Sequence, residues 1–180
     1  MANPRNVLIG PAQITIDGSD IGLTKDGTMI RRSNEPLDIE SDNERGVIKK
    51  VSLIERMYIT MTMQEATLQN LLLAWSDPTS NLSGYTDNCV GTTVSPPTGT
   101  LLMGSGTDAQ TYCEEVTEKV IVLVGLSPCC GTRTFTFTRC VQFGDVEYNM
   151  QRDAETTISV EFEALKDTTG YFGTVVDSIT

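Results

Sequence analysis

The chain contains no histidine. That absence removes the commonest general base, the usual partner of a catalytic nucleophile and the commonest metal ligand together. Basic residues are scarce as well: 13 Lys and Arg stand against 24 Asp and Glu, for a net charge of −11. Gripping a phosphate backbone needs Lys and Arg, so tight nucleic-acid binding is excluded as the main task. Keeping nucleic acid at a distance is not excluded, and neither is a generic solubilising surface. The five cysteines, Cys89, Cys113, Cys129, Cys130 and Cys140, lack C-x-x-C spacing and are odd in number. They fit neither a complete disulfide framework nor a zinc site, and in a reducing cytosol most are expected to be free. Cys89 and Cys113 flank one segment, and the sequence leaves their pairing open. No apolar run approaches a membrane span, and MANPRNVLIG has no signal-peptide core, so a soluble product of the cytoplasm is expected. P-loop, dinucleotide fingerprint, G-x-S-x-G and H-E-x-x-H patterns are all missing. Vicinal Cys129-Cys130 sit beside Pro128 and Gly131, where a structural turn outranks redox chemistry. The expectation is no enzyme, no cofactor and no metal.

What is present centres on LIERMYITMTMQEATLQNLLLAW, from Leu53 to Trp75. Met57, Ile59, Met61 and Met63 alternate with Arg56, Tyr58, Thr60 and Thr62, as a half-buried strand requires. At Gln64 the period changes. Leu68, Leu71, Leu72 and Trp75 then follow i, i+3, i+4 and i+7, predicting a helix over about 64–76 with these four side chains as its core face. Glu65 would sit in the first turn at the positive end of the dipole, and Asp77-Pro78 would stop the helix. Burying the four would contribute at most ~6–12 kcal/mol.

Residues 1–10 read as an arm, with an apolar tip at Val7-Leu8-Ile9. AQITI, then Asp17-Gly18-Ser19-Asp20, then Ile21 onward make a hairpin signal. Lys25-Asp26-Gly27 reads as a second turn, followed by strands over 28–33 and, beyond Pro36, over 37–40. DIESDNERGVIKK, 38–50, is dense in charge, with Asp38, Glu40, Asp42 and Glu44 leading and Arg45, Lys49 and Lys50 following. Such a run is ordinarily a solvated loop; its two signs also suit docking on another copy of the chain. Residues 77–113 are rich in Gly, Ser, Thr and Pro and read as a surface insertion. Val120–Val124 is continuously apolar, as for a strand covered on both faces. Thr134, Thr136 and Thr138 oppose Phe135 and Phe137, Asp145 and Glu147 oppose Val146 and Tyr148, and Thr157, Ser159, Glu161 and Glu163 oppose Ile158, Val160 and Phe162. Glu161 and Glu163 share one face of a strand, as a glycosidase pair would, but nothing in the sequence buries them or separates their roles. Residues 166–180 read as a loosely ordered tail.

The sum is a mainly β fold: an antiparallel β-sandwich or barrel built from 11–76 and 114–165, with one flanking α-helix. The order of an N-terminal arm, a hairpin, IESDNERGVIKKV before a long strand, E-A-T-L-Q-N-L-L, and a closing ISVEFEAL-KD resembles the major tail tube proteins of long-tailed, siphovirus-type bacteriophages. The resemblance covers roughly 1–76 and 114–170. It implies a structural subunit of the virion tail, assembled in the host cytoplasm as stacked hexameric rings around a channel for genome delivery. Asp38, Glu40, Asp42, Glu44, Arg45, Lys49 and Lys50 would form a ring-stacking loop. The implied partners are further copies of the chain, a tape-measure protein, and DNA passing without specific binding, with no membrane. Asp145, Glu147, Glu161 and Glu163 are lumen-lining candidates, because carboxylates repel phosphate. The rival reading is a cell-surface or phage adhesion module that binds through its insertion.

Overall fold

The computed structural model describes residues 12–41, 44–75, 82–86, 98–101, 117–127, 131–150 and 152–179. The expectations for the arm 1–10, for Asp42, and for Cys89, Cys113, Cys129 and Cys130 lie outside them. The elements run β1 (Gln13–Ile16), β2 (Ser19–Asp20), β3 (Thr24–Ser41), β4 (Glu44–Met63), α1 (Leu68–Trp75), β5 (Leu82–Thr86), β6 (Thr98–Leu101), β7 (Lys119–Ser127), β8 (Gly131–Asn149), β9 (Thr157–Ala164) and β10 (Thr174–Ile179). The fold is mainly β and antiparallel, with one helix among the described residues.

Seven strands form one path, β2-β1-β7-β8-β9-β4-β3, and β10 adds to β8 off that path. β8 is the long joint. Its first half pairs with β7 on one edge and β10 on the other, while its second half pairs with β9. The sheet folds on itself there, because Ile14, Ile16, Ile121 and Phe137 from one half share a single core with Ile59, Met61, Ile158 and Phe162 from the other. The alternation read from the sequence is what fills this core. Ile158, Val160, Phe162 and Ala164 are buried and their neighbours are not, which is the period of two that a sheet with one covered face imposes. The first hairpin also matches its signal. Asp17-Gly18 is a two-residue loop with φ of 50° and 79°, the left-handed pair that Asp-Gly tolerates.

Several boundaries differ from expectation. β3 continues through Pro36, because it is the edge strand and a register shift at Glu35/Pro36 absorbs the missing N–H. The expected turn at 25–27 is a bulge within β3, with Asp26 and Gly27 at positive φ. Gly144, φ 74°, likewise marks a bulge inside β8 rather than a break between strands. β7 is not covered on both faces: Ile121 and Leu123 are buried, but Val120 is 40% and Leu126 51% exposed. The expected loose tail contains β10, whose β-branched run Thr174-Val175-Val176 pairs with β8. In the insertion, β5 and β6 pair as a two-stranded sheet.

The helix starts at Leu68, not Gln64. Thr67 caps it, its hydroxyl accepting the Asn70 N–H at 3.1 Å and its carbonyl accepting Leu71 N–H at 3.0 Å. Glu65 lies before the helix, where its carboxylate accepts the Leu23 N–H at 3.2 Å instead of facing the dipole. The buried side is Asn70, Leu72, Leu73 and Ala74; Leu68, Leu71 and Trp75 are half-buried. Of the predicted face only Leu72 is fully buried, and the inward side runs instead through Asn70, Leu73 and Ala74. The reason is Asn70, whose side-chain amide donates to the carbonyls of Ile21 at 2.9 Å and Glu65 at 2.7 Å and pins that side inward.

Candidate assembly surface

The charged segment expected as a loop is the far half of a β-hairpin. Asp38 stands opposite Lys50 and Ile39 opposite Lys49, so the ladder absorbs the backbone polar groups a loop would have given to water. An ion pair of 3.1 Å joins Lys50 to Asp38. Glu44 and Arg45 begin β4, and Glu40 lies opposite Val47. β9 pairs with β4 only from Met57 to Met63, so among the described residues 44–56 has no second strand beside it and β3 is the last strand of the sheet. From Ser33 to Ser41 the arm reaches roughly 30 Å at ~3.3 Å per residue.

The arm has two unlike faces. On one, Asn34 accepts from Ser52, Asp38 meets Lys50, and Arg32 reaches Glu55 at 2.7 Å, with Lys166 at 3.3 Å from the same carboxylate. Those two cations hold the Glu55 carboxyl below its ordinary range, Arg32 contributing most. On the other face lie Glu35, Leu37 and Ile39 beside Ile54 and Val51. Leu37 is 47%, Ile39 42% and Ile54 42% exposed, a row of large apolar side chains left in water.

That row continues onto the body of the sheet, on the side turned away from the core. Arg31 lies opposite Tyr58, Tyr58 opposite Glu163, and Thr60 opposite Glu161. The Arg31 guanidinium sits 4.7 Å from the Tyr58 ring centre and 3.4 Å from Glu161, and Tyr58 packs on Phe143 at 5.3 Å between centres. Arg56 is 3.9 Å from Glu163; the Tyr58 hydroxyl and then Glu163 push its guanidinium pKa up. Three of the lumen-lining candidates thus share a face: Glu161 and Glu163 through their period of two, and Glu147 because it stands opposite Ser159. Asp145 follows the Gly144 bulge and is exposed, as is Glu147. Only these last two stand without an ion pair among the described residues; the other two are matched by Arg31 and Arg56, pairings that no local pattern predicts. Arg56 and Tyr58 were already on the non-core side of the alternation, but strand order, which puts Arg31 within reach of Glu161, has no local signal.

At the root of the arm is an apolar cleft of about 420 Å³ between Ile30, Met57, Phe135 and Phe137, bounded by Phe172 and Val175. Cys140 is a free thiol inside the core; burial, then the negative charge of Asp17, pushes its pKa up to about 12, so it is inert at neutral pH. No group of three or more metal-binding side chains occurs among the described residues, and no described helix is long and apolar enough to cross a membrane.

No protein-family model matches the chain, and no curated protein matches it. Among solved structures it is similar to a chain of the anti-feeding prophage (AFP) baseplate, determined by cryo-EM with six-fold symmetrisation. The identity is 9% and the TM-score 0.47, over 90% of this chain and 92% of that one.

Proposed function

We propose that the chain is a non-enzymatic structural subunit of a phage tail, assembling with copies of itself into hexameric rings that stack as a tube for genome delivery. One observation carries the reading. The β3–β4 arm extends past its last neighbour with an apolar face in water and, among the described residues, both strand edges unpaired. A solitary protein blunts such edges, whereas a closed ring of subunits has none left over. The polar face of the arm pairs its charges internally, which leaves the apolar face as the surface for a second copy.

In that assembly the tape-measure protein and then DNA occupy the channel. Unpaired Asp145 and Glu147 give it excess negative charge, which disfavours phosphate contact and lets the polymer slide. The particle is a virion component built in the host cytoplasm. Negative-stain microscopy of the purified protein, concentrated at neutral pH, tests the reading: rings or striated tubes are expected, and compact single particles at every concentration overturn it.

A further inference from the structure

β10 completes the sheet without joining its interior. It pairs with β8 in unbroken register from Thr174↔Thr136 to Ile179↔Gly131. Yet 174–178 are all exposed and none belongs to the core cluster. Apart from the ladder, side-chain contacts to the edge of the sheet hold it, Ser127 also reaching Asp177. Arg133 donates two hydrogen bonds to the Asp177 carboxylate, both 2.7 Å, and the hydroxyls of Thr132 and Ser178 lie 2.8 Å apart. Just before the strand, Phe172 packs against the core and borders the cleft under the arm. Before that, Asp167 forms a turn by accepting the N–H groups of Thr169 and Tyr171 at 2.8 and 3.0 Å, and exposed Gly170 has φ +86°.

We infer that the β8 edge from Gly131 to Thr136, with the adjoining cleft, is a strand-acceptor site exchanged between copies: residues 171–179 fill it within one chain and, in the assembly, the same segment of a second copy fills it. The inference rests on the self-assembly reading above. Each partner the segment needs, the ladder, Arg133, Thr132 and the pocket for Phe172, belongs to the acceptor body and is identical in every copy. The contacts made in trans are those already made in cis, so exchange costs no new complementarity. Gly170 is the pivot, because it is exposed and already left-handed, where a residue without Cβ turns freely. The free edge that release would expose on β8 is flanked by β7 and β9, so it offers a full ladder to an incoming strand.

The test uses the full chain. Copies carrying Thr132→Cys are mixed with copies carrying Ser178→Cys and a different tag, assembled, and oxidised. A covalent product containing both tags is expected in the assembled fraction, well above what either variant or the unsubstituted chain forms alone. Assembled particles without that product overturn the exchange. In the double variant, oxidation before assembly locks the segment in cis. Assembly is then expected to be lost and to return on reduction. Locked chains that assemble normally overturn the exchange while leaving self-assembly standing. An unsubstituted chain that stays monomeric under all conditions overturns both.

Discussion

Lys119 is almost solvent-free, and its ammonium lies 3.1 Å from the Asp17 carboxylate at the tip of the first hairpin. The other oxygen of Asp17 accepts the Val120 N–H at 2.8 Å, and the Asp17 N–H donates to the Val120 carbonyl at 2.8 Å. One residue thus turns the chain, ties β1 to β7 and neutralises a buried charge.

Replacing Asp17 by Asn keeps the left-handed turn and an acceptor oxygen but leaves the ammonium unpaired. The expected loss is about 2–4 kcal/mol, below the full cost of breaking a buried pair because Asp17 is partly solvated. Lys119→Met removes the charge with its need for a partner and is expected to cost under ~1.5 kcal/mol. Urea midpoints at constant slope measure both. Equal losses in the two variants would sink the account.

The turned helix face makes an ordering that the sequence period does not. Leu73→Ala is expected to cost ~2–5 kcal/mol, and Trp75→Ala, half-buried, about 1–2 kcal/mol. Asn70→Ala strips donors from two carbonyls and is expected to cost about 2 kcal/mol. Thermal unfolding followed by circular dichroism ranks the three.

Alkaline stability reports on Cys140. Its folded pKa is raised to about 12, so its contribution is complete below the unfolded thiol value, near 9, and is lost as pH climbs from there towards 12. The stability difference between the unsubstituted chain and Cys140→Ala is expected to shrink across that window, at up to ~1.4 kcal/mol per pH unit. A difference constant from pH 8 to 11 contradicts the burial of the thiol.

Acid stability has the opposite sign. Asp177, Glu118, Glu55 and Glu155 are held below their ordinary values, chiefly by Arg133, Arg139, Arg32 and Lys25 respectively. Their contribution is present above the unfolded carboxylate range and is lost as pH falls through their folded values. Three of the four are exposed and Glu55 is half-buried, so added salt is expected to flatten the acid limb of a stability profile.

On the arm, Leu37→Asp combined with Ile39→Asp changes two exposed side chains. Stability is expected to stay within ~0.5 kcal/mol per site while assembly is lost. Reversing Lys49, which stands opposite Ile39, to Glu is expected to give the same separation, with a β-rich spectrum retained. Tubes from either variant, seen by negative stain, would remove the arm from the interface.

Alternation was legible from the sequence because side-chain period is a local property: Ile59-Met61-Met63 and Ile158-Val160-Phe162 face the core as their spacing requires. So was the Asp17-Gly18 turn, whose backbone demand is met by two adjacent residues. What the sequence could not supply were facts made by partners distant along the chain. The run 38–50 looks like a loop until a facing strand satisfies its backbone. The inward side of α1 is chosen by Asn70 reaching Ile21, forty-nine positions earlier, and Glu161 of β9 meets Arg31 of β3 only because both strands flank β4. Local chemistry determined which residues could be strand or turn; the order of strands, which no short stretch encodes, decided which charges are matched and which edges stay open.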